Sequence, residues 1–352
     1  QKFILIGPLP PPLGGDTRHF LMMKNFIYKN SLEKPILINT SRTYTPNNFL
    51  YNFFILNKVL IQIIRKKSKY NTVFFMASDR GILLSILPLT LICLFFKKQL
   101  YIRICGGSFS TSLENLNVLI KKLIFLVLDK LVCKIFVQTK EIKKYLSKTT
   151  LKKKVFRVGS YPINTISLEK IIELKQINTF RVLYAGHLRK VKGVDLLLKV
   201  MESLKEYNIE CHFAGRESDI KIRDINNVNG CRYLGTFDYS DMVELIAKYK
   251  YLILPTWHKG EGEPGVIVES LEACTPIIAT RFRGISDIVD NKVGILIKLK
   301  SFDELRKSIL NSYLNQKLTK SYEDELLRRK INIGSYKSFW EEKLLKAINY
   351  PN

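Results

Sequence analysis

Residues Tyr251–Thr280, YLILPTWHKGEGEPGVIVESLEACTPIIAT, read as strand, loop, helix and strand. The two apolar runs at its ends, Tyr251–Pro255 and Pro276–Thr280, are short and do not alternate with polar residues. That is the pattern of parallel strands covered on both faces. Between them the glycine-rich, charged loop gives way to Pro264 and Gly265, and proline suits the first turn of a helix.

The same plan extends outward through the chain. Strands are expected at Arg181–Ala185, Glu210–Gly215, Arg232–Gly235 and Gly294–Ile297. Helices are expected at Val194–Tyr207, Ser240–Lys250 (capped by Asp238 or Ser240), Gly265–Cys274 and Phe302–Asn315. The first half repeats the arrangement. Strands are predicted at Phe3–Gly7, Pro35–Asn39, Thr72–Ala77, Leu100–Cys105, Ile135–Thr139 and Val155–Val158. Helices are predicted at Asp16–Lys29, Asn48–Lys66, Asp79–Phe96, Glu114–Leu131 and Lys140–Lys148, with a last one at Ser335–Tyr350. Gly159–Ile177 carries Gly-Ser-Tyr-Pro and no strand pattern, so the domain boundary is placed there. Two blocks of alternating strands and helices imply an α/β protein of two doubly wound, Rossmann-like domains. Such sheets bind ligands at the carboxyl ends of their strands.

The loop and helix start within Tyr251–Thr280 suit a phosphorylated ligand. A helix start offers unpaired amides and a positive dipole end. The amides of Gly265 and Val266 can hold a phosphate, and Gly265 lets a ligand approach the backbone. Glu269 lies one turn further along the same helix face, where a carboxylate can accept from two neighbouring hydroxyls such as those of a ribose. Glu261 can address the other end of the ligand. Taken alone, two glutamates are also ordinary solvated charges.

With these residues in view, Glu261–Glu269 resembles the E-x7-E motif of family 4 retaining glycosyltransferases, which have the GT-B fold of two domains facing a central cleft. Glu261-Gly262-Glu263-Pro264-Gly265 is similar to that family's E-G-F-P-G box, with Glu263 in place of the aromatic. A second resemblance lies in Val182–Leu198, VLYAGHLRKVKGVDLLL, where the family has a strand, G-R-L, K-G and a helix. Gly186, Leu188, Lys192 and Gly193 fit, and His187 stands at the arginine position with Arg189 and Lys190 beside it. The resemblance implies catalytic roles for Lys192, Glu261 and His187. It implies donor contacts for Gly15, Gly186, Arg189, Gly265, Val266 and Glu269. Weaker similarities are the loop Pro8–Gly15, PLPPPLGG, and Arg103–Ser108, RICGGS, whose Gly106 and Gly107 are read as an acceptor loop. Arg283 in Thr280–Val289, TRFRGISDIV, stands where the family more commonly has glycine.

The same resemblance implies a retaining, metal-independent transfer of the hexosyltransferase type. The donor is a nucleoside diphosphate sugar, UDP- or GDP-linked, and the acceptor a saccharide or a lipid-linked saccharide of cell-surface polysaccharide or lipopolysaccharide synthesis. No further cofactor is implied. Residues 1–164 would bind the acceptor, with the last helix returning to them, and residues 165–334 the nucleotide sugar.

The 352 residues carry 57 Lys plus Arg against 31 Asp plus Glu, a net charge of +26. Polyanionic partners and a lysine-rich background composition both account for it. Basic amphipathic stretches at Asn48–Lys69 and Leu116–Lys134 fit an anionic membrane surface, or core helices with lysine outside. Ile82–Phe96, interrupted by Pro88, is shorter than the roughly 20 apolar residues of a bilayer span. Cysteines 93, 105, 133, 211, 231 and 274 are scattered without metal-ligand spacing, and no signal-peptide pattern is read at the start. The expectation is a cytoplasmic protein peripheral to the inner face of the membrane. Nucleic-acid binding lacks a docking motif, and an oxidoreductase lacks G-x-G-x-x-G after a strand. A nucleotide-sugar epimerase of the same fold remains the alternative reaction.

Overall fold

Buried runs of Ile, Val, Leu and Phe form two parallel six-stranded sheets. The computed structural model describes residues 2–11, 14–31, 33–41, 49–65, 70–176 and 179–349, with 49–56 by backbone alone. The predicted helix Asn48–Lys66 and the loop Pro8–Gly15 therefore extend in part outside the described residues. The chain divides into two units, Gln1–Gly159 with Leu344–Asn352, and Ser160–Lys343.

In the first unit, strands β1 (Phe3–Gly7), β2 (Ile36–Asn39), β3 (Thr72–Ser78), β4 (Gln99–Cys105), β5 (Lys134–Val137) and β6 (Val155–Arg157) lie in the order β2-β1-β3-β4-β5-β6. Helices α1 (Gly15–Asn30), α2 (Phe49–Arg65), α3 (Asp79–Phe95), α4 (Phe109–Glu114), α5 (Val118–Lys130) and α6 (Lys140–Ser147) connect them. One sheet face presents Ile4, Val73, Phe75 and Ile102 to a core shared with α2, α3 and α5. The other presents aromatics, with Phe74 and Phe136 stacked at 5.4 Å. Both faces are covered, which is why these strands lack polar alternation.

The predicted helix Glu114–Leu131 starts later, at Val118, after a break that separates it from α4. Asn117 ends the break and caps α5 by accepting from Leu119 N at 2.9 Å. An asparagine that bonds its neighbouring backbone competes with helix continuation.

The second unit holds α7 (Leu168–Leu174), β7 (Arg181–Ala185), α8 (Val194–Ser203), β8 (Glu210–Ala214), α9 (Ile222–Asn226), β9 (Cys231–Gly235) and α10 (Met242–Ala247). It continues with β10 (Tyr251–Leu254), α11 (Gly265–Glu272), β11 (Ile277–Thr280), α12 (Ile285–Ile288), β12 (Gly294–Ile297), α13 (Phe302–Leu314) and α14 (Gln316–Ile333). Its strand order is β12-β11-β10-β7-β8-β9. Helices α4, α7, α9, α12 and α14 add to the sequence reading. Helix α10 starts after Asp241 rather than at Asp238 or Ser240, and Pro264 is the N-cap of α11 rather than its first turn.

A last helix, α15 (Tyr336–Asn349), belongs to the second unit up to Lys343 and to the first from Leu344. Lys134 donates to the Ala347 carbonyl at 3.1 Å and the Ile348 carbonyl at 2.7 Å. A cation suits the carbonyl-rich end of a helix. Burial holds the Lys134 ammonium below its ordinary pKa.

Helix α14 is mostly polar outside, and a buried ion pair anchors it. Lys330 reaches Glu272 at the end of α11, Nζ to Oε1 2.5 Å, and Tyr336 N donates to the other carboxylate oxygen at 3.1 Å. Burial raises the Glu272 carboxyl, against the opposing pull of Lys330.

Candidate active site at the switch point of the second sheet

From β7 the second sheet grows toward β8 and β9, and from β10 toward β11 and β12. Connections from these two central neighbours therefore leave in opposite directions, and a ligand crevice is expected at their carboxyl ends. The loop after β7 carries Gly186–Gly193, and the loop after β10 carries Pro255–Pro264.

Backbone contact joins the two loops. Trp257 N donates to the Val191 carbonyl at 2.9 Å. Gly193 has φ +79, and a Cβ there would lie 2.2 Å from the Pro255 carbonyl oxygen. Glycine is required on both counts. Gly193→Ala is expected to cost roughly 1–3 kcal/mol, read as a lower melting temperature with the first unit's fold intact.

Lys192 and Glu261 meet directly, Nζ to Oε1. The Glu261 side chain is 8% exposed and that of Lys192 21%. Thr256, fully buried, holds the arrangement. Its hydroxyl lies 3.3 Å from both Glu261 Oε1 and the Val191 carbonyl, sharing one proton between them. It also accepts from His258 N at 3.2 Å, while Thr280 on β11 donates to the Thr256 carbonyl at 2.5 Å. Glu261 N closes a turn onto the His258 carbonyl at 2.9 Å.

His258 is half-buried beside this pair. Burial lowers its pKa, the cations Lys192 and Arg189 lower it further, and Glu261 opposes them. The site thus contains a neutral imidazole at neutral pH, a carboxylate and an ammonium. Sequence reasoning assigns nothing to His258 or Thr256. Their signal is only position, in the loop leading to Glu261.

The other sequence-predicted residues of this unit are Gly186, His187, Arg189, Gly265, Val266 and Glu269. Gly186 follows β7 at φ +151, and His187 is exposed, its carbonyl accepting from Tyr184 at 2.7 Å. Arg189 is half-buried. Gly265 and Val266 stand ahead of the first hydrogen bond of α11, from Ile267 N to the Pro264 carbonyl at 3.1 Å. Glu269, 2% exposed, lies on the next turn of α11.

Glu263 does not line this group. Its carboxylate is buried and accepts from Ser160 N at 2.7 Å, and its carbonyl accepts from Ser160 Oγ at 2.9 Å. Glu263 is used here to hold the first residue of the unit. Arg283 has φ +50, a left-handed backbone conformation that glycine adopts without strain.

Gly15, Gly106 and Gly107 belong to the first unit. Gly15 opens α1, and a Cβ on it would meet nothing within 4 Å. Gly106, at φ +87 after β4, donates to Gln138 Oε1 at 3.1 Å. The amide of Gln138 contacts His19 Nε2 at 2.9 Å, so that nitrogen accepts and the proton sits on Nδ1. Burial, then the guanidiniums of Arg103 and Arg18, hold His19 well below 6.5. The unfolded chain therefore binds the proton more readily, and stability present above 6.5 is lost as the pH falls below it. The slope reaches at most about 1.4 kcal/mol per pH unit, and His19→Gln should flatten it in acid denaturation curves.

Residues 168–326 match the sequence model of the family described as glycosyl transferases group 1. Two curated relatives come from Methanocaldococcus jannaschii. The uncharacterized glycosyltransferase MJ1178 is 28% identical over 143 residues, 40% of this chain and 40% of the relative. The uncharacterized glycosyltransferase MJ1069 is 25% identical over 276 residues, 70% of this chain and 69% of the relative. The match thus spans less than half the length of the first relative. Among solved structures, Anabaena Alr3699/HepE in complex with UDP superposes with a TM-score of 0.75 at 13% identity, covering 100% of both chains. Residues 168–326 are therefore a match to the glycosyl transferases group 1, and the fold that carries them is GT-B.

Proposed function

We propose that the protein transfers a sugar from a nucleoside diphosphate sugar to a saccharide or lipid-linked acceptor, with retention at the anomeric carbon. The observation that carries this reading is the Lys192–Glu261 pair at the β7–β10 switch point, followed in sequence by the Pro264–Gly265 helix start. The family match over residues 168–326 and the UDP complex of the Anabaena protein support it.

In the proposed chemistry the bond between the anomeric carbon and the diphosphate oxygen breaks, and its electron pair stays on that oxygen. Lys192 and the Gly265 and Val266 amides offset the charge that develops there. Glu269 accepts from the ribose hydroxyls, and Glu261 from hydroxyls of the donor sugar. Gly186, Arg189 and His187 flank the diphosphate. The acceptor hydroxyl attacks from the face the diphosphate leaves, and its proton passes to the departing oxygen. Residues 1–164, with Gly106 and Gly107, present the acceptor, and residues 165–334 hold the donor. No metal takes part, so EDTA should leave turnover unchanged. The setting is cell-surface polysaccharide or lipopolysaccharide assembly on the cytoplasmic face of a membrane.

Calorimetric titration with UDP-, GDP- and ADP-sugars tests the reading. Saturable binding of one of them, followed by NMR of the product anomer, supports it. Failure of all three to bind would sink it, an inverted product would remove retention, and turnover without acceptor would identify an epimerase.

A further inference from the structure

A helix that covers a sheet ordinarily turns its apolar stripe inward and a polar face outward. Helices α3 and α5 are apolar on both sides. Inward, Ile86 and Cys93 of α3 and Ile124 and Leu128 of α5 enter the same core. Outward, Leu91, Phe95, Leu119, Leu123 and Leu126 are exposed, Phe95 at 80% and Leu119 at 75%. Helix α3 packs against both α2 and α5, so these outward stripes adjoin, and Ile61 and Ile64 of α2 extend them. Contiguous apolar surface of this kind marks an interaction site.

The charges around it choose the partner. Lys58, Arg65, Lys97, Lys122 and Lys130 are exposed or half-exposed on or beside these helices. Between residues 49 and 131 the acidic residues are Asp79, Glu114 and Asp129. Asp79 accepts from Ser108 and Ser112, and Asp129 lies 3.8 Å from Lys130. The apolar patch is thus set in a cationic surround. Two copies of the chain meeting through it would oppose lysine to lysine. A bilayer with anionic headgroups complements both components, apolar side chains below and ammonium groups at phosphate level. No helix among the described residues is long and apolar enough to cross a membrane, which fits a surface that lies on the bilayer.

We propose that the outer face of α2, α3 and α5 docks the first unit on an anionic lipid bilayer. The proposal extends the functional reading by naming the face that meets the membrane, and it includes α3, whose apolar run is too short to span a bilayer. It does not depend on the donor chemistry.

The test is co-sedimentation of the full chain with phosphatidylglycerol–phosphatidylcholine vesicles, without nucleotide sugar. The wild type should bind them at low salt, bind less at high salt, and ignore pure phosphatidylcholine. Leu119→Ser/Leu123→Ser and Lys122→Glu/Lys130→Glu should each lower vesicle affinity tenfold or more at an unchanged melting temperature. Ile331→Ser, an exposed apolar change on α14, should bind as the wild type does. No wild-type binding to the anionic vesicles overturns the proposal, as does wild-type affinity in the leucine variant. Sedimentation velocity supplies the other arm: a stable wild-type dimer that Leu119→Ser/Leu123→Ser dissolves would assign the face to a second copy. Because vesicle binding needs no donor, a protein that binds no nucleotide sugar leaves this result standing, and the two readings fail separately.

Discussion

Replacing Glu269 by alanine should weaken nucleotide-sugar binding by about 100-fold while the protein remains folded. The side chain is 2% exposed, on the turn of α11 beyond the Gly265 and Val266 amides. In the proposed complex its carboxylate accepts from two ribose hydroxyls. Hydrogen bonds to charged groups contribute about 1.5–3 kcal/mol each, and a lost pair readily exceeds the ~2.7 kcal/mol of a 100-fold change. Glu269→Gln keeps the volume and one acceptor, so it should fall between the two. Calorimetry on both variants, with thermal melting as the fold control, makes the comparison. A dissociation constant unchanged in the alanine variant would remove Glu269 from the donor site.

Lys192→Ala should act on turnover. Loss of a cation at the leaving diphosphate costs on the order of 100- to 1000-fold in kcat, with a smaller effect on donor affinity. Lys192→Arg should recover part of the rate, since it restores charge but not the shape of the ammonium. The alanine change also leaves the Glu261 carboxylate nearly buried without its cation. Breaking a fully buried pair costs about 3–5 kcal/mol, and this pair should cost less because Lys192 is 21% exposed. Glu261→Gln added to Lys192→Ala should return stability without returning turnover. That separates the electrostatic role in folding from the one in catalysis, and equal recovery of both would contradict it.

The strands were legible because a strand buried on both faces must be apolar throughout. Phe3–Gly7, Arg181–Ala185 and Gly294–Ile297 coincide with the observed elements. Helices were harder wherever a local side chain decides. Asn117 splits α4 from α5, and Ser167 starts α7 by accepting from Lys170 N at 3.3 Å. Helix α14 has no wide apolar stripe, and its attachment by Lys330 to Glu272 joins residues far apart in sequence. The site divides the same way. Glu261, Gly265 and Glu269 could be picked out through glycine, proline and spacing, and Lys192 through its resemblance to the K-G of the family. Thr256 and His258 could not, since their place beside Glu261 depends on how a loop folds back. The use of Glu263 to bind Ser160 is likewise a long-range pairing.

The pairing of Lys192 with Glu261 also bears on how the second unit comes apart. Their loops follow β7 and β10, neighbours in the sheet between which the chain makes its whole excursion through β8 and β9. The two charges can meet only once that distant strand pairing has formed. A ligand held between these loops therefore senses the integrity of the sheet's centre rather than of one local turn. Saturation with a bound donor at about 100 times its dissociation constant would add about 2.7 kcal/mol against unfolding. Amide exchange should show that protection spread over β7, β10 and β11 together, as one cooperative unit.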